Sequence, residues 1–206
     1  MRKRIVIIGG GASGLTAAIG GARNGAHVTI VEHMDRVGKK ILSTGNGRCN
    51  LTNLRMGEDC YRCGQKGFPM EVIRGFGVDE TLAFFKGLGI EPKDRNGYIY
   101  PNSDQASAVL DVLRSEVERL GVVVLLSCRV EKIEPAVGGG GVRYKVYTDQ
   151  GILDAEAVIL AAGSKAAPST GSDGSGYELA RRLGHRIIKP LPALVQLRCQ
   201  GSMYRQ

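Results

Sequence analysis

The amino-acid sequence predicts an α/β fold: a parallel sheet with crossover helices and a small antiparallel β-meander. Three observations carry this reading. Short all-apolar runs, Ile5 to Ile8, Val122 to Leu126 and Ala157 to Leu160, read as buried strands, the second covered on both faces. Apolar residues at helical spacing lie between them, most clearly Val109, Leu110, Val112, Leu113, Val117 and Leu120. Glycine, with 30 residues, marks many of the turns and helix ends.

The first strand, Arg4 to Ile8, runs into Gly9-Gly10-Gly11-Ala12-Ser13-Gly14, a match to G-x-G-x-x-G. A helix from about Ala12 to Asn24 follows. The strand from His27 to Val31 comes next and ends at Glu32. Strand, glycine turn, helix, strand and acid, in that order, are the pattern of a dinucleotide site. Gly9 allows the tight turn, Gly11 lets the backbone approach a pyrophosphate, and Gly14 lets the helix pack on the strand. The helix start, at Ala12 and Ser13, offers N–H groups and a partial positive charge. Glu32 is suited to accept from both ribose hydroxyls, which favours the adenosine half of FAD or NAD over a 2′-phosphate. The turn alone leaves open which of the two it is.

After Glu32 a simple NAD dehydrogenase would enter another regular helix–strand unit. Here His33 to Lys40 leads instead into Ile41 to Asn53, which is polar and rich in small residues, a loop expected to wrap a ligand. Lys39, Lys40 and Arg48 add positive charge near the pyrophosphate turn. The run G-G-G-A-S-G-L-T-A-A from Gly9, Glu32 with Gly38-Lys39-Lys40, and S-T-G-N-G-R-C-N-L-T-N from Ser43 together resemble the BaiN/RdsA-like family of NAD(P)/FAD-dependent oxidoreductases. Aminoacetone oxidase-type flavoproteins look similar.

The resemblance implies a Rossmann-like FAD-binding domain, with Ser43 to Asn50 running along the ribityl chain and flavin ring. The expected cofactor contacts are Gly9, Gly11, Ala12, Ser13, Gly14, Glu32, His33, Lys40, Ser43, Gly45, Gly47, Arg48, Cys49 and Asn50. The resemblance adds the backbone of Val130 at the adenine, and Ala161, Ala162 and Gly163 closing the back of the site. FAD is the expected cofactor; NAD(P)H enters as donor on the resemblance alone.

Further along, Cys60 and Cys63 form a C-x-x-C pair. A zinc site would need two more ligands and none is close in sequence; the pair reads as two reduced cysteines near a turn, and no metal is expected. Phe68 to Gly89 hold two short helices, whose apolar residues (Val72, Ile73 and Phe76 in the first; Leu82, Phe84, Phe85 and Leu88 in the second) read as core. Tyr98 to Pro101 is extended. Asn102 or Ser103 is expected to cap a helix from Asp104 to Leu120, stopped by Gly121.

Arg129 to Ile133, Gly141 to Thr148 and Ile152 to Ala155 make the meander, turning at Gly138–Gly141 and Asp149–Gly151. Ala161-Ala-Gly163 resembles the A-x-G return of FAD folds. Ser169 to Gly176 opens a helix from Tyr177 to Leu183, with Asp173 or Ser175 as cap. Gly97, Pro101, Ser103 and Ala106, and later Pro168, Gly171, Ser172, Gly174, Gly176 and Tyr177, also match the family's pattern.

At 206 residues, with 43% hydrophobic and 23% charged residues, the chain suits a soluble domain of ordinary size. Residues 1–190 are expected to form the FAD-binding domain. Residues 191–206, with a strand at Val195 to Arg198, would start a second domain whose remainder lies in the C-terminal half of a longer chain. A net charge of +8 suits an anionic cofactor. The basic residues are dispersed without interleaved aromatics, so the expected partner is a small-molecule substrate and not nucleic acid.

The apolar run after Met1-Arg-Lys-Arg is too short for a signal peptide, and no run approaches the roughly 18 residues of a membrane span. A cytoplasmic protein with reduced thiols is expected from this and from five scattered cysteines. No catalytic acid or base is assigned; His33 and His185 are candidates by residue type alone. The expected function is an FAD-binding oxidoreductase. A single-domain NAD-dependent dehydrogenase and a binding-only FAD module are its rivals.

Overall fold

The computed structural model describes residues 2–136 and 141–192. Its centre is a four-stranded parallel sheet in the order β10-β1-β2-β6, formed by Ala157–Leu160, Arg4–Ile8, His27–Val31 and Val123–Leu125. Ile5 stands level with Val28 on one side and Ala157 on the other, and Thr29 with Val123. Alternation along β1 and β2 sends their side chains to two cores. Ile7 and Ile30 meet helices α1 (Ala12–Arg23) and α4 (Ala106–Arg119), through Leu15, Ile19, Val109 and Leu113. Val6, Ile8 and Val31 meet the meander and helix α5 (Ser175–Arg182), through Ile133, Val146, Ala155 and Leu179. The meander is a three-stranded antiparallel sheet of β7 (Val130–Pro135), β8 (Tyr144–Thr148) and β9 (Gly151–Ala155). A smaller antiparallel sheet holds β3 (Thr52–Asn53), β5 (Tyr98–Pro101) and β4 (Pro92–Arg95).

Several expectations change. Val122 to Leu126 and Ala157 to Leu160 are not buried strands. Among the described residues they form the two edges of the parallel sheet, and Val123, Leu126, Ile159 and Leu160 are exposed. The covering layers centre on β1 and β2, so the outer strands are only partly covered. Helix α2 (Phe68–Arg74) and the turn after it are not core, for Val72 is 61% and Phe76 52% exposed. In α3 (Val78–Gly87), Phe84 and Phe85 do pack on the first core, as does Leu88 just after it.

Helix α4 begins at Ala106 with Gln105 as its cap, two residues later than expected. Asp104 takes a left-handed φ of 53° and turns its carboxylate to Lys93, at 3.4 Å, and Arg95. It is used to pair with β4 and the helix starts after it. Helix α5 begins at Ser175, capped by Gly174 at φ 86°, while Asp173 Oδ1 accepts the Ser175 N–H at 2.9 Å. Most of the four-glycine turn, and the strand expected at Val195 to Arg198, lie outside the described residues.

Glu116 ties helices α1 and α4 together within one layer. It accepts from Arg23 of α1 at 2.8 Å and from Arg119 at 2.6 Å, and Arg23 also lies over the Phe84 ring, 5.8 Å from its centroid. The hydrogen bond from Arg119, with help from Arg23, outweighs desolvation and holds the carboxyl at about 2, below its ordinary 4.5. A lowered folded pKa stabilises the fold above the unfolded value, and this is lost as pH falls through the folded one. The stability gap between the parent and Glu116→Gln is therefore expected to be full above pH 4.5 and to close as pH falls toward 2. Urea unfolding across that range measures it.

Candidate functional site

The glycine turn sits at the C-terminal end of β1, where open α/β sheets place their ligands. Gly9 has φ 105°, and a Cβ there would lie 2.6 Å from the Ala161 carbonyl oxygen. A Cβ on Gly14 would lie 1.8 Å from the Gly9 oxygen, and one on Gly10 would lie 2.5 Å from Val37 Cγ1. These three glycines are required by packing. Gly11 differs, because a Cβ there would meet nothing within 4 Å. Its bare side faces a cleft of about 400 Å³. Gly11 also starts α1 without a side-chain cap, and the first turn holds no acidic residue. The first N–H groups of the helix and their partial positive charge are thus free for an anion.

Glu32 forms the second fixed point. It is buried, with Oε2 accepting from Gly10 N at 2.7 Å and Oε1 from Met34 N at 2.8 Å. His33 Nδ1 lies 3.4 Å from Oε1. A carboxylate has about four acceptor positions, so capacity remains for a ribose hydroxyl. Glu32 thus also secures the turn itself, a role the sequence did not suggest.

The loop after Lys40 winds through short 3₁₀ turns, Ile41–Gly47, and breaks at Thr44, Gly45 and Asn46. Gly45 and Asn46 are left-handed, and so is Cys49, at φ 60°. This path brings Thr44, Cys49 and Asn50 to the cleft, while Ser43, Gly45, Gly47 and Arg48 do not line it. Arg48 packs its guanidinium on the Tyr100 ring, 5.2 Å from the centroid, and donates to Gly45 O at 3.2 Å. Burial pushes the Cys49 thiol up, against a hydrogen bond with Thr44. The neutral thiol is a poor nucleophile.

The far wall comes from Ala161, Ala162 and Gly163, just past β10, and from Thr170 to Ser172. Lys40 Nζ reaches Ser172 Oγ at 3.4 Å and joins the two walls. Asp173 steadies that segment. Burial works against its charge, but hydrogen bonds from Ser175 and Arg129 prevail and hold it at about 2.

Of the residues expected at a cofactor, the cleft therefore unites Gly9, Gly11, Ala12, Ser13, Glu32, His33, Lys40, Cys49, Asn50, Ala161, Ala162 and Gly163. Gly14 and Val130 do not line it. Gly14 packs the helix on the turn, and Val130 begins β7. Thr44, within the expected Ser43 to Asn50 stretch, lines it as well, and so do Met34, Arg36, Gly38, Lys39, Ile41 and Thr170 to Ser172, which were not expected there. The run of glycines before α5 was a usable signal for the last three, since such a run allows close backbone approach. Among the described residues no group of three or more His, Cys, Asp or Glu could hold a metal, and Cys60 and Cys63 are free and exposed. No described helix is long and apolar enough to cross a membrane.

Residues 3–199 match the model of the HI0933-like protein Rossmann domain. The chain belongs to this family. It agrees with the resemblance carried by the G-R-C-N-L-T-N run, and the architecture is that of a Rossmann-type FAD-binding domain. The family member is 50% identical over 197 residues to a 3-dehydro-bile acid delta(4,6)-reductase of Clostridium scindens, covering 95% of this chain and 47% of that one. It is 27% identical to a ribosomal RNA dihydrouridine synthase of Haemophilus influenzae, over 92% of this chain and 47% of that one. It thus spans about half the length of these relatives. The fold also resembles Thermovibrio ammonificans THI4, with a TM-score of 0.56 at 18% identity, covering 90% of this chain and 64% of that one.

Proposed function

We propose that this chain is the FAD-binding unit of a longer, flavin-dependent reductase. One observation carries the reading. A single cleft joins the open face of Gly11 and the uncapped start of α1 to Glu32 on one side and Ala161 to Gly163 on the other. The donor set suits an anionic dinucleotide, with N–H groups and Lys40 for the pyrophosphate and a fixed carboxylate for the ribose. FAD, when bound, supplies hydride exchange with donor and substrate. The chain's residues position it: Gly11 leaves room, Glu32 orients the ribose end, and Ala161 to Gly163 with Ser172 exclude water from the far side. NAD(P)H is the proposed donor. The 50% identical relative supports a steroid-like conjugated ketone as the substrate class. Residues 1–190 form the FAD unit in this reading, and turnover requires the rest of the longer protein. The four described cysteines are free, which suits the reducing cytoplasm.

Titrating FAD into the chain and following flavin fluorescence tests this directly. Gly11 has an ordinary φ of −78°, so valine fits its backbone and projects into the cleft. Gly11→Val is expected to fold within about 1 kcal/mol of the parent. Its FAD affinity should fall at least about tenfold, or about 1.4 kcal/mol. A parent chain that stays colourless and binds NAD instead would overturn the proposal.

A further inference from the structure

Beside the cleft lies a second hollow of about 520 Å³, bounded by α1, α3, α4 and the loop that carries Cys49. Its wall is mostly carbon, from Leu51, Phe76, Phe84, Phe85, Val109 and Leu113. The Phe76 and Phe84 rings meet edge to face at 6.4 Å, and Phe84 and Phe85 at 5.3 Å. Among the described residues no charged side chain lines it. The two threonines on the wall already donate to backbone carbonyls, Thr16 to Ala12 at 2.8 Å and Thr81 to Gly77 at 2.6 Å. Asn50 donates its amide to Ile99 O at 3.1 Å, which leaves its oxygen as an acceptor.

The other polar residues on its wall, Ser13, Cys49 and Asn50, are common ground. Ala12, Ser13, Ile41, Cys49 and Asn50 border both the hollow and the cleft. Phe84 is braced from outside by Arg23, which Glu116 holds, so this wall has support independent of any occupant.

We propose that this hollow receives the body of the substrate, a neutral, rigid, fused-ring molecule with its polar end at the wall shared with the cleft. Its direction rests on the reading that the cleft holds FAD. A carbon-lined wall without a counter-charge accepts apolar surface and penalises a buried charge. A rigid ring system loses little conformational freedom on binding, and aromatic walls with a few polar groups at one edge are the common form of such sites. A charged substituent would have to remain outside, in water.

Testosterone, a neutral fused-ring ketone, serves as the probe, in equilibrium dialysis against the chain with and without FAD. Thr16→Phe fills the hollow from a residue that does not line the cleft. Phe76→Ser removes wall from a residue already half exposed, which spares the fold. The parent is expected to retain testosterone, Thr16→Phe to bind it at least about tenfold more weakly, and Phe76→Ser several-fold more weakly, while FAD affinity changes less than about twofold in both. Absence of testosterone binding, or binding that Thr16→Phe leaves unchanged, overturns the inference. If FAD fails to bind while testosterone binds and Thr16→Phe abolishes it, the cofactor reading falls and the apolar site stands. If FAD binds and testosterone does not, the apolar site alone falls.

Discussion

Gly14→Ala is expected to unfold at a clearly lower urea concentration than the parent, with a loss of about 3 kcal/mol or more. The added methyl would lie 1.8 Å from the Gly9 carbonyl oxygen, and that oxygen belongs to backbone. No rotamer change can relieve the contact. Relief requires α1 to lift from the turn, yet Leu15, Ala18 and Ile19 bury the same helix against the sheet. Gly11→Ala is the matched control. Its methyl meets nothing, so it should stay within about 1 kcal/mol of the parent. Equal losses in the two variants would show that the cost is helix-terminal entropy and not the approach of α1 to Gly9.

Replacing Glu32 has the second large effect. Glu32→Ala removes the acceptors of two backbone N–H groups, those of Gly10 and Met34. Each buried donor left without a partner costs about 1–3 kcal/mol, so the variant should lose about 2–4 kcal/mol in urea unfolding. It should also bind FAD more weakly than that instability explains, because the ribose loses its carboxylate. Glu32→Gln keeps one acceptor oxygen and is expected to fall between the two in both measurements. A Glu32→Ala chain with parental stability would mean that the Gly10 and Met34 N–H groups find other partners.

The segment from Arg4 to Glu32 was legible in the sequence because its geometry is local. Alternation, helical spacing and the three motif glycines encode it within one continuous stretch. The meander and the helix boundaries near Gly121 and Gly184 were legible for the same reason. What the sequence concealed is set by partners far along the chain. Gly10 occupies a free position of the motif, and it is Val37, with Glu32 close behind, that makes glycine necessary there. Asp104 reads as a helix start until Lys93 and Arg95 draw it out of the helix. Arg48 reads as positive charge near the turn, and the sequence gives no sign that its guanidinium lies on the Tyr100 ring, about fifty residues away. An all-apolar run such as Ala157 to Leu160 signals a strand without saying where it stands in the sheet. Thr170 to Ser172 approach Lys40 only because β10 lies beside β1.

That last placement has a consequence for the chain's backbone protons. β1 has a strand on either side, and β10 has β1 on one side and no strand on the other among the described residues. Successive amides of a strand point alternately to its two sides. Amide exchange in heavy water should therefore be slow along all of β1. Along β10 it should alternate, slow where an N–H points to β1 and fast where it points outward. The fast amides would mark the side on which another strand could add to this sheet.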